Sequence, residues 1–287
     1  MNKKVWLSII GILFLLNIFS WKEVFVLASD NYLNVYFLDV GQGDSAFIKT
    51  PENHQIIIDG GPDSSVLAEI SKIMPFWDRT IDLVILSHPE KDHMQGLLEI
   101  FKKYKADYIL WTGVEKIAPE YDKWVNVLSK QQKNGAKIII AEAGQEIKVG
   151  NVLINALLPF ESMEGLDIGS SANDTCVVNK IIYGRNSFLF TGDISSVVEK
   201  ELIISGENIS SNVLKIAHHG SKYSTSEEFL QAVNPKTAVI GVGENSYGHP
   251  TAEVLQRLEK FGIQVLRTDT NGTVKFVSDG NDIKLIN

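Results

Sequence analysis

The chain has 287 residues, 44% of them hydrophobic and 22% charged, with a formal net charge of −8 and a single cysteine. This balance excludes a disordered chain and an internal disulfide, and an acidic protein without a basic stripe is not a general nucleic-acid binder. Any anionic substrate has to be held locally, by a metal and a few Lys or Arg.

The N-terminus differs from the rest. Lys3 and Lys4 are followed by "VWLSIIGILFLLNIFSW", Val5 to Trp21, with no charge inside it. A basic start before such a run marks an export signal or a single membrane anchor. No polar face recurs at helical spacing, which argues against a buried core helix. "VLASD" places Val26 and Ala28 at the small-residue positions of a cleavage site, with Ala28–Ser29 the candidate cut. Trp21, Lys22 and Glu23 equally suit the outer interface of an uncleaved anchor. Both readings stay open. On either, residues 1–28 are a signal peptide or membrane anchor, and residues 29–287 form one large extracytoplasmic domain, secreted or anchored to the cytoplasmic membrane.

In that domain, "LNVYFLDV", "SAFIKT" and "HQIIIDGG" predict three short strands joined by tight turns. "SVLAEISKIM" has helical spacing, "DLVILS" is a buried strand, and a helix is expected from near Met94 in "MQGLLEIFKKY". Strand "DYILWT", helix "PEYDKWVNVLSKQQK" and strand "AKIIIAEA" follow, then a β-rich stretch of "VLINALLP", "TCVVNKIIY" and "NSFLFTGD". The last third alternates helix "SSVVEKELIIS", strand "NVLKIAHHG", helix "STSEEFLQAV", strand "KTAVIGV", helix "TAEVLQRLEKFG" and strand "IQVLRT". It ends in the small strands "GTVKFVS" and "DIKLIN". Mixed β/α in two halves suits an α/β fold of two sheets stacked face to face with helices outside.

The polar motifs fall where strands end, at Asp39, Asp59, His88, Asp193, His218 and Gly243. In "SHPEKDHMQG", His88, Glu90, Asp92 and His93 lie within six residues, so one loop can present up to four ligands to a small volume. Imidazole and carboxylate together suit Zn, Mn or Fe. Against this stands a plain helix start, with Asp92 capping free N–H groups. Asp193 in "FLFTGD", His218 and His219 in "LKIAHHGS", and His249 before "PTAEVLQRL" favour the metal reading. His54 reads as a surface turn residue, and Cys176 as a buried structural thiol.

The combination resembles the metallo-β-lactamase superfamily, and more closely the extracellular hydrolase domain of ComEC-type competence (DNA-uptake) proteins. The motifs that carry the likeness are "DVGQGDS", "IDGG", "SHPEKDHMQG", "SANDTCVV", "LFTGD", "LKIAHHGSKYSTS" and "NSYGHPTAEVLQRL", in order from about Leu33 to Asn287. The resemblance implies a four-layer αββα sandwich binding one or two Zn2+ ions, with Mn2+ an option. It implies that His88 binds one metal, that Asp92 and His93 bind the other, that Asp193 bridges them, and that His218 is the late ligand with His219 close behind. Glu90 departs from the superfamily histidine at its position. The middle histidine is also missing; "SANDT" takes its place, with Asn173 and also Asp174 as candidates to face the site. The expected site is therefore rich in carboxylate and short of nitrogen.

An exported hydrolase working through a metal-activated water follows, with a phosphodiester, and single-stranded DNA in particular, as the expected substrate. Asp92 is expected to double as ligand and proton acceptor, and His249 or His219 to protonate the leaving oxygen. Lys215 is a candidate phosphate holder, although alternation with Leu214 and Ile216 slightly favours an outward position. Ser221 and Ser224 offer anion-binding N–H groups or a helix cap. Asp39, Asp44 and Asp59 are expected to orient the metal ligands from behind. Trp77, Trp111 and Trp124 could stack bases, although core packing or membrane-side contact is the stronger expectation. The full transporter has a multispan channel and this chain has none, which leaves a free-standing nuclease or the partner of a separate channel protein. Two competing functions remain: an exported hydrolase of another ester, phosphodiester or lactam, and a binding protein with a degenerate, metal-poor site.

Overall fold

The computed structural model describes residues 3–27, 32–169 and 172–286. Helix α1 (Lys3–Leu27) comes first, and its stretch Lys3–Trp21 is long and apolar enough to cross a membrane, with none of it buried. The candidate cut at Ala28–Ser29 lies outside the described residues, as does Ser171 of the "SANDT" motif. The domain then runs β1 (Leu33–Phe37), β2 (Ala46–Lys49), β3 (Gln55–Ile58), α2 (Ser65–Ile73), β4 (Thr80–Ile85), α3 (Lys91–Ile100), β5 (Lys105–Trp111), α4 (Pro119–Lys133) and β6 (Lys137–Ile140). Its second half runs β7 (Glu146–Val149), β8 (Val152–Leu158), β9 (Val178–Tyr183), β10 (Asn186–Phe190), α5 (Ser196–Ile204), β11 (Val213–Lys215), α6 (Glu227–Val233), β12 (Thr237–Ile240), α7 (Ala252–Lys260) and β13 (Gln264–Arg267). A short α8 (Thr268–Asn271) leads into β14 (Val274–Ser278) and β15 (Ile283–Ile286).

The strands make two sheets, in the orders β15-β14-β1-β2-β3-β4-β5-β6 and β13-β12-β11-β10-β9-β8-β7. Side chains alternate across each strand, and both faces are covered, so the strands read as near-continuous apolar runs. In β3, Ile56 and Ile58 enter the core between the sheets, while Ile57 faces the layer of α2, α3 and α4. In β10, Phe188 and Phe190 meet that central core, and Leu189 faces α5, α6 and α7. Three apolar layers thus hold four layers of structure, and the architecture is the expected αββα sandwich.

Alternation also resolves Lys215. It does lie opposite Leu214 and Ile216, which pack on the helix side. In a two-sheet sandwich, however, the other face is interior as well. Lys215 shares it with Val213, is 5% exposed, and forms an ion pair with Asp44 of the opposite sheet. The outward position expected from the sequence is corrected by the second sheet.

Helix α3 begins at Lys91, three residues before the expected start. Glu90 is extended at φ −89°, ψ 154° and serves as the N-cap position, so Asp92 sits in the first turn, where the free N–H groups and the helix dipole favour a carboxylate. The helix is pressed onto the "DGG" turn. The Gly60 amide donates to the His93 carbonyl at 2.7 Å, and the Gly96 amide to Gly61 at 2.9 Å. A Cβ on Gly96 would collide with the Gly60 carbonyl, and one on Gly60 with the Leu97 amide. Strand β7 and helix α8 are too short to leave a clear periodic signal in the sequence. β7 is a four-residue edge strand, half exposed, and α8 is a single turn.

In the first sheet β1, β3, β4 and β5 all start at one end and finish at the other, and β10 to β13 run parallel in the second. The polar motifs follow the finishing ends.

Two stability predictions follow from these contacts. Gly96→Ala must push α3 off its turn, costing about 1–3 kcal/mol, and calorimetry will show the lower Tm. Lys215→Ala leaves the Asp44 carboxylate unpaired in the interior, costing about 3–5 kcal/mol, and denaturant unfolding will show a lower midpoint.

Candidate metal centre

Four imidazole Nε2 atoms converge on the carboxylate of Asp193, in the loop after β10. His93 Nε2 lies 3.3 Å from its Oδ1; His219, His218 and His88 lie 3.6, 3.9 and 4.0 Å from its Oδ2. Asp193, His88, His93 and His219 are all buried, whereas a third of the His218 side chain is exposed. Ligand atoms of Asp44, His93, Asp193 and His219 all lie within 4.8 Å of one another. Asp92 joins them, with Oδ2 3.2 Å from His219 Nε2.

The hydrogen bonds behind the imidazoles fix which nitrogen points inward. His93 Nδ1 lies 2.8 Å from Asp59 Oδ2, and Asp59 also accepts from the Ser87 amide and hydroxyl at 2.7 Å each. His219 Nδ1 lies 2.7 Å from the Gly241 carbonyl, which can only accept. A neutral His219 therefore spends its one N–H on Gly241 and turns a bare Nε2 toward the carboxylates of Asp92 and Asp193. Such like poles face each other at this range only with a proton or a metal ion between them. Among the described residues, His88 Nε2, His93 Nε2 and Asp193 Oδ1 are also buried with no hydrogen-bond partner. A nitrogen-and-oxygen donor set of this kind fits a divalent metal ion.

The titration shifts give the same account. Burial disfavours the imidazolium form of His219, but Asp193, Asp44 and Asp92 more than offset it and push its pKa up to about 10. Burial likewise opposes the charge of His93, and Asp193 and Asp59 hold its pKa well above the usual imidazole range. His88 is driven down to about 3 by burial and then by His93. Burial raises the Asp193 carboxyl, yet His93 and His219 hold it well below the usual range. Four carboxylates, those of Asp44, Asp59, Asp92 and Asp193, face one buried ammonium, Lys215. The remaining negative charge calls for protons on histidine or for a bound metal.

The backbone is bent to reach this arrangement. His218 and His219 lie in a 3-10 turn, Ala217–Gly220, and both are left-handed, at φ 50° and φ 53°. For non-glycine residues this conformation costs roughly 1–2 kcal/mol each, and such strain gathers at functional sites. It aims two adjacent imidazoles at one carboxylate. The two exchange their expected places: His219, expected behind, lies in the buried cluster, and His218, expected as the late ligand, lies at the mouth with Asn173 Nδ2 3.5 Å from its Nε2.

Other candidates fall outside the cluster. Glu90 is turned away, pairing with Lys116 at 2.5 Å and accepting from the Ala172 amide at 3.1 Å. Lys116 gave no signal in the sequence, because it comes from a loop beyond β5. Asp174 accepts from the Ser195 amide ahead of α5 rather than facing the site. The Asp39 amide donates to Thr273. His249 lies on the rim, its ring 5.5 Å from that of His218, with its backbone held on both sides by Asn245. The cap of α6 is Ser226, not Ser224, whose hydroxyl donates to Ala217 and Ser221. Lys215 is corrected from phosphate holder to partner of Asp44, since its ammonium is spent in the interior. Trp111 and Trp124 are core residues and stack no bases. Buried Cys176 donates to the Asn173 carbonyl and accepts from the Asp193 amide, which makes its thiol part of the site's frame.

The pattern of the Metallo-beta-lactamase superfamily matches residues 38–244. The chain is 34% identical over 262 residues to ComE operon protein 3 of Bacillus subtilis (strain 168), covering 84% of this chain and 32% of that protein. It is 30% identical over 249 residues to Competence protein ComA of Neisseria gonorrhoeae, covering 86% of this chain and 32% of that one. It thus spans about a third of the length of these relatives. Among solved structures it resembles the metallo-beta-lactamase fold protein YhfI from Bacillus subtilis, with a TM-score of 0.59 at 14% identity over 87% of this chain and 100% of that one. It also resembles Igni18, a metallo hydrolase from Ignicoccus hospitalis, with a TM-score of 0.53 at 18% identity over 85% and 98%. At these identities the structures speak for the fold alone. Fold, histidine–carboxylate cluster and sequence together place the chain in the metallo-β-lactamase superfamily, as a metal-dependent hydrolase related to competence proteins.

Proposed function

We propose that this chain is an extracytoplasmic phosphodiesterase that cleaves DNA, with α1 holding it to the membrane. The convergence of four imidazoles on Asp193 beside Asp92 carries the hydrolase part of this reading, and the similarity to competence proteins carries the DNA part. His93, His219, Asp92 and Asp193 are the residues that would hold a metal, with His88 and His218 completing the ring. A bound divalent cation, Zn2+ or Mn2+, supplies Lewis acidity and a nucleophile at neutral pH.

The rest is done by the chain's own groups. Asp59 and the Ser87 hydroxyl hold His93 so that Nε2 faces the centre, and Gly241 does the same for His219. Asp92, about a third of whose side chain is exposed, stands where cluster and solvent meet, ready to accept a proton. His249 stands beyond His218 on the open side, where the leaving oxygen of a phosphodiester would depart. Burial and then His218 lower its pKa, so it is mainly neutral at pH 7 and the fraction that carries the proton grows as the pH falls. The open rim of His218 and His249 suits an extended polymer better than an enclosed small molecule. A separate channel protein would be the natural receiver of the product strand.

Two experiments test this reading. Metal content of the full chain, purified in detergent without added metal, is expected to be one or two Zn or Mn per chain. Activity on bis-p-nitrophenyl phosphate and on single-stranded DNA is expected to fall at least ~100-fold in Asp193→Ala, as when a group central to charge stabilisation is lost. Metal and diester activity without DNA cleavage would sink the DNA assignment alone; no metal retained and no activity after adding Zn or Mn would sink the hydrolase. In Asp59→Asn, metal affinity is expected to drop about 10–100-fold, and titration with excess metal should restore activity. Unchanged affinity would show that His93 does not depend on this partner.

A further inference from the structure

Phe76 and Trp77 are exposed, at 78% and 69%, and stand edge to face with ring centres 4.9 Å apart. They occupy the turn between α2 and β4, outside every apolar layer of the fold. Two large aromatic side chains left together in solvent call for a covering surface.

The strand register places this turn. α1 ends at Leu27 and β1 begins at Leu33. Six peptide steps span at most about 20 Å. At the start of β1, Asn34 pairs with Lys49, and Lys49 with Gln55. The Gln55 side-chain amide donates to Asp78, next to Trp77, at 2.6 Å. With strands about 4.8 Å apart, the turn lies three strands, roughly 15 Å, from the point where the chain enters the domain. The aromatic pair is therefore at the sheet end that a membrane-inserted α1 must hold close to the bilayer.

The charge at that end fits. Arg79, Lys103 and Lys105 are exposed there, and Lys49 is part-exposed. Of the carboxylates at this end, Asp78 is engaged by Gln55, Asp82 by His54, Glu52 by the Asn151 amide and Asp279 by the Asn281 and Asp282 amides, while Asp107 and Asp282 are exposed. In a chain of net charge −8, this is a basic rim around an aromatic pair. Aromatic rings at headgroup depth with Lys and Arg beside them are the composition of a lipid interface.

We propose that the Phe76–Trp77 turn and its basic rim dock on an anionic bilayer surface, giving the domain a second membrane contact beside α1. The proposal rests on α1 being a membrane anchor. It fixes an orientation: β1, five residues long, rises about 17 Å from start to finish. The metal cluster lies at the finishing ends, so its mouth is held off the bilayer and faces away from it.

The test uses nitroxide labels on the full chain in vesicles of phosphatidylethanolamine and phosphatidylglycerol. The native Cys176 is buried and out of reach of the label. Labels go on Phe76→Cys, on Leu15→Cys within α1, and on Tyr223→Cys, an exposed residue near the site end. Collision rates with oxygen and with a water-soluble nickel chelate are compared. Positions 15 and 76 are expected to favour oxygen several-fold over position 223. If position 76 behaves like position 223 while position 15 favours oxygen, docking is overturned and the anchor stands. If position 15 also favours nickel, the anchor fails and the proposal with it. Spin–spin broadening at position 76 that vanishes on dilution with unlabelled chain would mean that a second copy covers the turn, and would overturn the lipid assignment.

Discussion

The site depends on one constraint: a buried carboxylate, Asp193, is ringed by four imidazoles whose inward nitrogens all lie within 4.0 Å of it. Burying that charge is tolerable only if something positive lies within a few ångströms. Three further carboxylates, of Asp44, Asp59 and Asp92, deepen the demand. Lys215 meets part of it from below by neutralising Asp44, and the two sheets are joined through that ion pair at the floor of the site. What is left over is a negative, nitrogen-rich cluster, which is the electrostatic description of a cation site.

Holding these groups in place takes contacts between pieces of chain far apart in sequence. Gly60 and Gly96 let the "DGG" turn and α3 touch backbone to backbone, and this sets the distance from Asp59 to His93. Gly241 leaves room for Asp44 while its carbonyl orients His219. The left-handed pair His218–His219 stores strain that the packed surroundings must offset. The glycines are thus spacing devices for the histidines, and two adjacent left-handed residues sit where the chemistry is.

The departures from the superfamily pattern have their own physical logic. Glu90 is too well engaged by Lys116 and the Ala172 amide to turn inward at no cost. With Asn173 rather than a histidine opposite, the His88 side of the ring has fewer nitrogen donors than the His93–His219 side. The two halves of the site therefore differ in the nitrogen donors they can offer an ion.

Much of this was legible in the sequence alone. Alternating apolar runs gave the two sheets and their helices, because burial on both faces leaves a periodicity that local residues cannot hide. The strand-end motifs named His88, Asp92, His93, Asp193 and the pair His218–His219, since chemistry collects in loops beyond a rigid sheet. Only the tertiary structure decided which of the adjacent histidines is buried, because a positive-φ turn reverses the order that extended backbone would give. Only the tertiary structure turned Lys215 inward, because the second sheet makes an interior of what one strand presents as its outer face. Only the tertiary structure gave Glu90 to Lys116, for that pair joins two loops with no shared local pattern. Sequence fixes which groups are available within a few residues of one another; which of them meet is decided by the packing of distant segments.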